Sequence, residues 1–508
     1  MFLSPSDLDK NLHTEICIIG SGVGGSSVIE GLLEANKTKF ILVEAGGLSG
    51  SSNSVNASFS GRQFDMPLTR AVALGGTTNV WGGGLTPLDD VDFDSLDENL
   101  ELRWPLRKQD LIASYQKAAR MFGIPSLDLF SRSALPESRR NQLDHLNSNK
   151  EVIKEKIFQI PLPLFRFKDR LKSIFETSET RHCILNAPAL ELVHSAGSVS
   201  EVKIGTAQGI KTIKADQFII CSGALETPRL LLNSNIDNPN IGRYLMDHPK
   251  GYIAQLDLKR NPLPKDHIFA VMKYYGKHPL QAKAGFILKP DVLKTYGLLN
   301  HNVYIKPIYS DLDTMERIEK LGVIVHTLRG SRSKVRDLVY LVRNFTDLLR
   351  GVFYKYDLNQ TYDKAGLFIV AEQTPYELSQ VRLDEDVDDW GYPRSEIHWQ
   401  INDSDLDNVS KFMEIVIDNL GPELGEFSKG CVINQGYFKD NLSSAAHHMG
   451  TARMGVSEEN AVVDSNLKVF GFDNLHICDA SVFPSGGNAN PSLTISALAF
   501  HTVDKITS

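Results

Sequence analysis

Long apolar runs are missing from this chain. No stretch of its 508 residues approaches the roughly 18 consecutive apolar residues needed to cross a bilayer, so a spanning helix is not expected. The opening MFLSPSDLDKN has no basic region followed by an apolar core, and a secretory signal is not expected either. Cysteine is scarce. Cys17, Cys183, Cys221, Cys431 and Cys478 are an odd number without CxxC spacing, which argues against a disulfide framework, an iron–sulfur centre or another metal site. Three of them lie in strand-like runs (EICIIG, FIICSG, LHICDA) and read as small buried hydrophobes in a reducing compartment, so a cytoplasmic location is expected. An excess of positive charge is also absent. Lys plus Arg is 54 and Asp plus Glu is 62, a net charge of −8, which argues against a nucleic-acid partner. No repeat of 20–50 residues and no low-complexity tract is apparent.

What is present begins with Thr14–Gly47. A short apolar run, Glu15–Ile19, has the character of a parallel strand buried on both faces. Gly20-Ser21-Gly22-Val23-Gly24-Gly25 follows, then a helical stretch from about Ser26 to Ala35, then the apolar run Lys39–Val43 ending in Glu44. Strand, glycine turn, helix, strand and acid within about 30 residues is a dinucleotide-binding pattern. In it Gly20 makes the tight turn, Gly22 lets a pyrophosphate approach the backbone, and Gly25 permits close helix–strand packing. The helix aims its free N–H groups at the phosphates. Glu44, at the strand end, can accept both ribose hydroxyls and would repel the extra phosphate of NADP; FAD and NAD both remain open on this motif.

Further along, LELVHS, SVSEVKI and GIKTIKA predict a three-stranded meander from Leu190 onward, feeding a separate buried strand, Gln217–Ser222, and a helical ETPRLLLNS. From about Tyr252 to Gly436 the strand-like pieces YIAQLDL, NVYIKPIY, GLFIVAEQ and EIHWQI are divided by polar turns. The expected fold class is therefore α/β: a discontinuous Rossmann-like dinucleotide-binding domain with an inserted α+β domain on an antiparallel sheet. Between Arg329 and Lys355, Val335, Leu338, Val339, Val342, Phe345, Leu349, Val352, Phe353 and Tyr356 recur at helical spacing, with seven basic residues against two acids. The favoured reading is an apolar face packed on its own domain with the basic residues solvated; a membrane interface or a partner is the alternative.

A second glycine cluster, LGGTTNVWGGG (Leu74–Gly84), suggests backbone wrapped closely round a ligand. The third cluster is C-terminal: SSAAHHMGTARMG (Ser443–Gly455), then DASVFPSGGNANPSLT after a buried strand. With GSGVGG and Glu44, LGGTTNVWGG, CSGALETPRLLLNS, NIGRYLMDHP and EQTPYELSQVRL, these resemble, in order over nearly the whole chain, the glucose–methanol–choline (GMC) flavin oxidoreductases. NPSLTISALA is most similar to the sugar- and polyol-oxidising branches.

The resemblance implies a domain plan: FAD-binding parts at 1–95, 181–250 and 441–508, a helical cap at 96–180 and a substrate-binding domain at 251–440. It implies that His447, in H-x-x-G-T, is the base, with His448 as its neighbour, and that Asn490 is the second active-site residue. FAD would be held by Gly20, Ser21, Gly22, Gly24, Gly25 and Glu44; by Gly75, Gly76, Thr77, Asn79 and Val80; and by Ser222 and Gly223. Asp479 and Ala480 would serve its ribityl–pyrophosphate part, Ala489 and Asn490 would place backbone N–H groups near the flavin O2 edge, and Leu190 would reach the adenine through its backbone. Val80 stands where covalently flavinylated members carry histidine, so non-covalent FAD is expected. His248 reads as structural, and Glu372 and Gln373 receive no catalytic role. The expected reaction is oxidation of an alcohol CH–OH of a small sugar, glycoside or polyol. Hydride would go to flavin N5 and the hydroxyl proton to an imidazole; the later electron acceptor, oxygen or another, is left open. The alternatives are a non-oxidative lyase of the cyanohydrin type on the same scaffold, and a membrane- or partner-associated dehydrogenase subunit.

Overall fold

The computed structural model describes residues 1–4, 7, 12–48, 57–64, 66–94, 103–146, 149–258, 263–264, 271–275, 279–308, 314, 317–318, 321, 324–325, 334–349, 361–362, 364–420, 425–427, 436, 439 and 442–507. Cys431, Val352, Phe353 and Tyr356 lie outside them.

Two eight-stranded sheets organise the chain. In the first, the parallel strands Arg181–Ile184, Phe40–Val43, His13–Ile19 and Gly209–Ile220 stand side by side, and Leu475–Ile477 pairs with the last of them. Strands from both ends of the sequence thus share one sheet. Ile18, Leu42, Ile219 and Ile477 are buried, as apolar runs covered on both faces must be. The glycine turn leads into the helix Val23–Glu34, which packs on the C-terminal helix Ser492–Thr507. Gly31 allows that approach, since a Cβ there would meet Phe500 and Val503. Ser27 Oγ donates to Ser496 Oγ at 2.8 Å across the same contact.

The meander is Ala189–Ser195, Ser198–Thr206 and Gly209–Ile220. Its third strand and the expected separate strand Gln217–Ser222 are one element. Residues 209–214 pair antiparallel with the meander, and from Lys214 the strand runs parallel to His13–Ile19. No glycine or proline interrupts Ile210–Ile220, so nothing breaks it.

The second sheet is antiparallel, in the order Val271–Tyr275, Pro279–Leu288, Asn302–Pro307, Lys364–Val370, Pro249–Leu258 and Gly425–Phe427. Two strands join it from outside the central part of the chain. Ile153–Pro161 pairs over nine residues with Pro279–Leu288, so the segment expected as a helical cap also extends this sheet. Ser443–Ser444 pairs with Pro249–Lys250, which carries the C-terminal histidines to the start of that strand. Gln380–Val387 and Pro393–His398 form a smaller sheet with Ser58–Phe59. That sheet lies against the helix Thr227–Asn233, with Arg229 Nη2 2.6 Å from Asp388 Oδ2.

The helix Lys334–Arg343 continues as helix over residues 345–349 and departs from expectation. Val335, Leu338, Val339, Val342, Phe345 and Leu349 are exposed, while Leu341 is buried with Leu321 and Ile324. The helix therefore packs through its other side, and the stripe expected to be covered faces outward. Among the described residues no helix is long and apolar enough to cross a membrane.

Candidate active site

A cavity of 1260 Å³ runs from the glycine turn to the paired histidines. It exceeds the roughly 300–1,000 Å³ of ordinary small-molecule pockets, leaving room for a dinucleotide and a substrate together. Gly20, Ser21, Gly22, Gly24, Glu44, Gly76, Thr77, Val80, Ser222, Gly223, Asp479, Ala480, His447 and Asn490 all line it. Residues distant in sequence meet here because the parallel strands end together.

At the nucleotide end Gly24 is compulsory: a Cβ there would collide with the Cys478 carbonyl oxygen. Gly22 differs, with nothing within 4 Å of where its Cβ would stand. The helix it opens has no side-chain cap, so unpaired N–H groups face that space. Glu44 is buried. Its Oε2 accepts from Ser21 N at 3.0 Å and from Ser21 Oγ, and its Oε1 from Gly46 N at 2.8 Å. Burial pushes this carboxyl up, and those hydrogen bonds pull against it. Asp479 accepts from Gly223 N at 2.8 Å, Thr227 Oγ1 at 2.6 Å and Ser481 N at 2.8 Å, so it ties together the ends of two neighbouring strands.

Five expected residues stand behind the wall rather than in it. Gly25 packs against Gly20 and Cys221. Gly75, at φ +86°, turns the second glycine loop and donates to Ser21 Oγ at 2.9 Å. Asn79 Nδ2 donates to the carbonyls of Leu74 and Gly76, both at 2.9 Å, holding that loop closed. The Leu190 side chain is buried, and Ala187, Pro188 and Ala189 line the cavity next to it. Ala189 begins the strand, and one residue along a strand reverses the side presented. Ala489 is buried beside Asn490.

At the other end His447 follows Ala446, a non-glycine residue at φ +64°, a conformation that is held only where surrounding contacts over-determine it. Asp247 supplies those contacts. Its Oδ1 accepts from His447 N at 3.0 Å and His248 N at 2.6 Å, and its Oδ2 accepts from Ser444 Oγ. His448 Nε2 lies 3.6 Å from the same carboxylate. His447 Nδ1 is 2.9 Å from His248 Nδ1. Burial, His248, Lys250 and His448 together hold the His447 imidazole well below its usual value, so it is neutral near pH 7. Asn490 Nδ2 donates to Gly84 O at 2.8 Å, which fixes its amide in the wall and leaves one N–H and the carbonyl oxygen uncommitted by that bond.

His248 is therefore more than a packed core residue. Glu372 also has a larger part than its turn motif suggested. Buried, it accepts from Asn300 N at 2.7 Å and Gly487 N at 2.9 Å, bracing the loop that leads to Asn490 from behind. Lys250, Arg70 and Arg317 line the cavity as well and were not singled out. Lys250 directly follows the quoted motif NIGRYLMDHP and was legible there; Arg70 and Arg317 stand in no motif. Among the described residues no group of three or more His, Cys, Asp or Glu is placed to hold a metal.

Sheet order, glycine cradle and histidine-lined cavity define an FAD-binding oxidoreductase fold. Residues 174–250 and 375–499 match the N- and C-terminal family descriptions of GMC oxidoreductase, and the chain belongs to that family. It is 24% identical over 300 residues to long-chain-alcohol oxidase FAO1 of Arabidopsis thaliana, covering 58% of this chain and 36% of that one. Against C-glycoside 3-oxidase of Microbacterium trichothecenolyticum the identity is 30% over 129 residues, 24% of each chain. Against pyranose 2-oxidase of Tricholoma matsutake it is 24% over 303 residues, 58% of this chain and 47% of the other. The chain thus spans little more than a third of the first of these relatives. A point variant of formate oxidase of Aspergillus oryzae RIB40 shares the fold at a TM-score of 0.60, with 18% identity and 98% of both chains covered. Pyridoxine 4-oxidase of Mesorbium loti shares it at 0.57, with 17% identity over 97% and 98%. The family's cofactor is FAD, and the residues present fit it: an open space above Gly22, uncapped helix N–H groups beside it, and a continuous cavity from there to His447.

Proposed function

We propose that the protein oxidises an alcohol CH–OH group to a carbonyl, with His447 as general base. FAD, held without a covalent bond, supplies the hydride acceptor. The observation that carries this reading is the Nδ1–Nδ1 contact of 2.9 Å between His447 and His248. Burial keeps His248 neutral against Asp247 and the Gly486 and Gly487 backbone acceptors. Its Nε2 lies near Gly486 with no direct hydrogen-bond partner among the described residues, and the proposed tautomer carries the ring proton there. With that proton on Nε2, His248 Nδ1 is an acceptor. His447 then donates from Nδ1, which leaves the lone pair on its Nε2 for the substrate hydroxyl proton. Asn490, fixed by Gly84, holds the substrate oxygen through its second N–H.

A sugar, glycoside or polyol is the proposed substrate class. Lys250, Arg317, Ser443 and Ser444 in the wall offer polar contacts to several hydroxyls, and Tyr340 and Phe368 offer flat apolar faces. The relatives named for C-glycoside and pyranose oxidation support the same class. Val80 at the covalent-attachment position supports dissociable FAD. An anaerobic screen of flavin bleaching over sugars, glycosides, polyols and aliphatic alcohols tests the reading. Bleaching by a polyhydroxy substrate is expected, slowed about 10²–10⁴-fold by His447→Ala. A variant that reduces flavin at the wild-type rate would remove the base assignment, and turnover with no flavin absorbance change would point to the lyase.

A further inference from the structure

We propose that the helix spanning residues 334–349 is a docking surface for an anionic lipid bilayer. Two sides of this helix do different work. One packs inward: Leu341 is buried with Leu321 and Ile324, Asp347 Oδ2 pairs with Arg317 Nε at 3.2 Å, and Tyr340 reaches the cavity wall. The opposite side carries Val335, Leu338, Val339, Val342, Phe345 and Leu349, all exposed; Val335 is 78% and Val342 68% accessible. At 100° per residue these six fall on one stripe about 120° wide, with Asp347 on the far side and Leu341 at its edge. A soluble surface scatters its exposed large hydrophobes, whereas a contiguous stripe marks an interaction site.

Charge selects the occupant. The segment Arg329–Lys355 carries seven basic residues and two acids in a chain whose net charge is −8, so the basic excess is concentrated where the apolar stripe lies. Arg336, Arg343 and Arg350 recur every seven residues in the sequence, and Arg343 is exposed on the helix beside the stripe. One of the two acids, Asp347, is committed to Arg317 on the inner side. An apolar stripe bordered by arginine suits the boundary between headgroups and acyl chains, with the stripe immersed and the cations among lipid phosphates. Basic residues beside an anionic surface add electrostatic attraction that salt screens. A second copy of this chain fits less well, because two such segments would bring basic flank against basic flank.

The test uses the full-length, FAD-loaded protein and vesicles of neutral phosphatidylcholine, with or without anionic phosphatidylglycerol. Wild type is expected to co-sediment with anionic vesicles, weakly with neutral ones, and less at high salt. The double variant Val342→Asp, Phe345→Asp is expected to bind at least about tenfold more weakly with unchanged flavin content. As a second measurement that leaves the helix apolar, Leu338→Trp is expected to be quenched by brominated anionic lipid. Wild type remaining in the supernatant, equal binding by the double variant, or an unquenched Trp would each overturn the proposal. So would a solution dimer that the double variant converts to monomer without any vesicle binding, which would assign the stripe to a second copy.

Discussion

His248 Nδ1 and His447 Nδ1 stand 2.9 Å apart with their rings nearly perpendicular, at 89°, and a single carboxylate, Asp247, receives the backbone N–H of both. The strand beginning at Pro249 and the two-residue strand Ser443–Ser444 pair beside them. The proposed base, in the C-terminal region, thus faces a residue 199 positions earlier. Two neutral imidazoles can share one proton between facing nitrogens only when one ring is donor and the other acceptor. The tautomer of His447 is therefore set by His248, on the proposed reading of the site.

Replacing His248 tests that dependence. His248→Leu removes the acceptor and lets His447 adopt either tautomer or turn away. Anaerobic flavin reduction is expected to slow about ten- to a hundredfold, as loss of an orienting partner commonly does, with KM changed little. His248→Asn keeps a carbonyl acceptor and should recover part of the rate. Equal rates for the two variants would show that only bulk matters at this position.

The pH profile gives a second check. The His447 value is lowered chiefly by burial, then by His248, Lys250 and His448. Protonation disables a base, so flavin reduction should rise with pH through a midpoint below 6.5 and stay level from there to pH 8. In Lys250→Met one of these opposing charges is gone, and the midpoint should move up toward the ordinary imidazole value. A midpoint that stays put would remove Lys250 from the electrostatics of the site.

Much of this was legible in sequence because glycine turns, strand ends and the H-x-x-G-T motif each have a local physical cause. Gly24 and Gly450 are needed where backbone meets backbone, against Cys478 and Tyr244. Other features have no local cause. Leu190 and Ala189 are equally apolar and adjacent, and only the strand register decides which lines the cavity. The exposure of Val342 could not be read from periodicity, which reports that a helix has two faces and not which one is covered. The pairing of Glu372 with Gly487 joins residues over a hundred positions apart, and the turn motif containing Glu372 carries no trace of it.

Glu372 should leave a thermodynamic signature. Burial, with the nearby Asp92, pushes its carboxyl up to about 8, while the Asn300 and Gly487 N–H groups oppose the shift. A raised folded value means the folded protein keeps a proton that the unfolded chain releases above about 4.5. The stabilisation is complete below that value and is lost as pH rises through about 8. Buried histidines with lowered values, such as His301 at about 3, act in the opposite direction only below 6.5. From pH 6.5 to 8 the buried histidines no longer contribute, and the comparison with Glu372→Gln, which mimics the protonated form, separates Glu372 from other groups with shifted values such as Glu44. Wild-type Tm should fall across this window more steeply than that of Glu372→Gln, which should start lower. An equal slope in both proteins would mean that Glu372 is ionised throughout.

Two glycines of the nucleotide turn should separate folding from cofactor binding. A methyl at Gly24 meets the Cys478 carbonyl, whereas a methyl at Gly22 meets nothing in the protein, and Gly22 has φ −64°, which alanine accepts without strain. Gly24→Ala is expected to lower the stability of the apoprotein itself by about 1–3 kcal/mol or more, as overpacking against fixed backbone does. Gly22→Ala should fold with the apoprotein stability of wild type and yet bind FAD at least about tenfold more weakly, because its methyl occupies the space through which a pyrophosphate reaches the helix N–H groups. Thermal melts of the two apoproteins, followed by FAD titration, read both quantities. If Gly22→Ala binds FAD as tightly as wild type, the pyrophosphate does not lie against this turn, and the cradle assigned here would have to be placed elsewhere along the cavity.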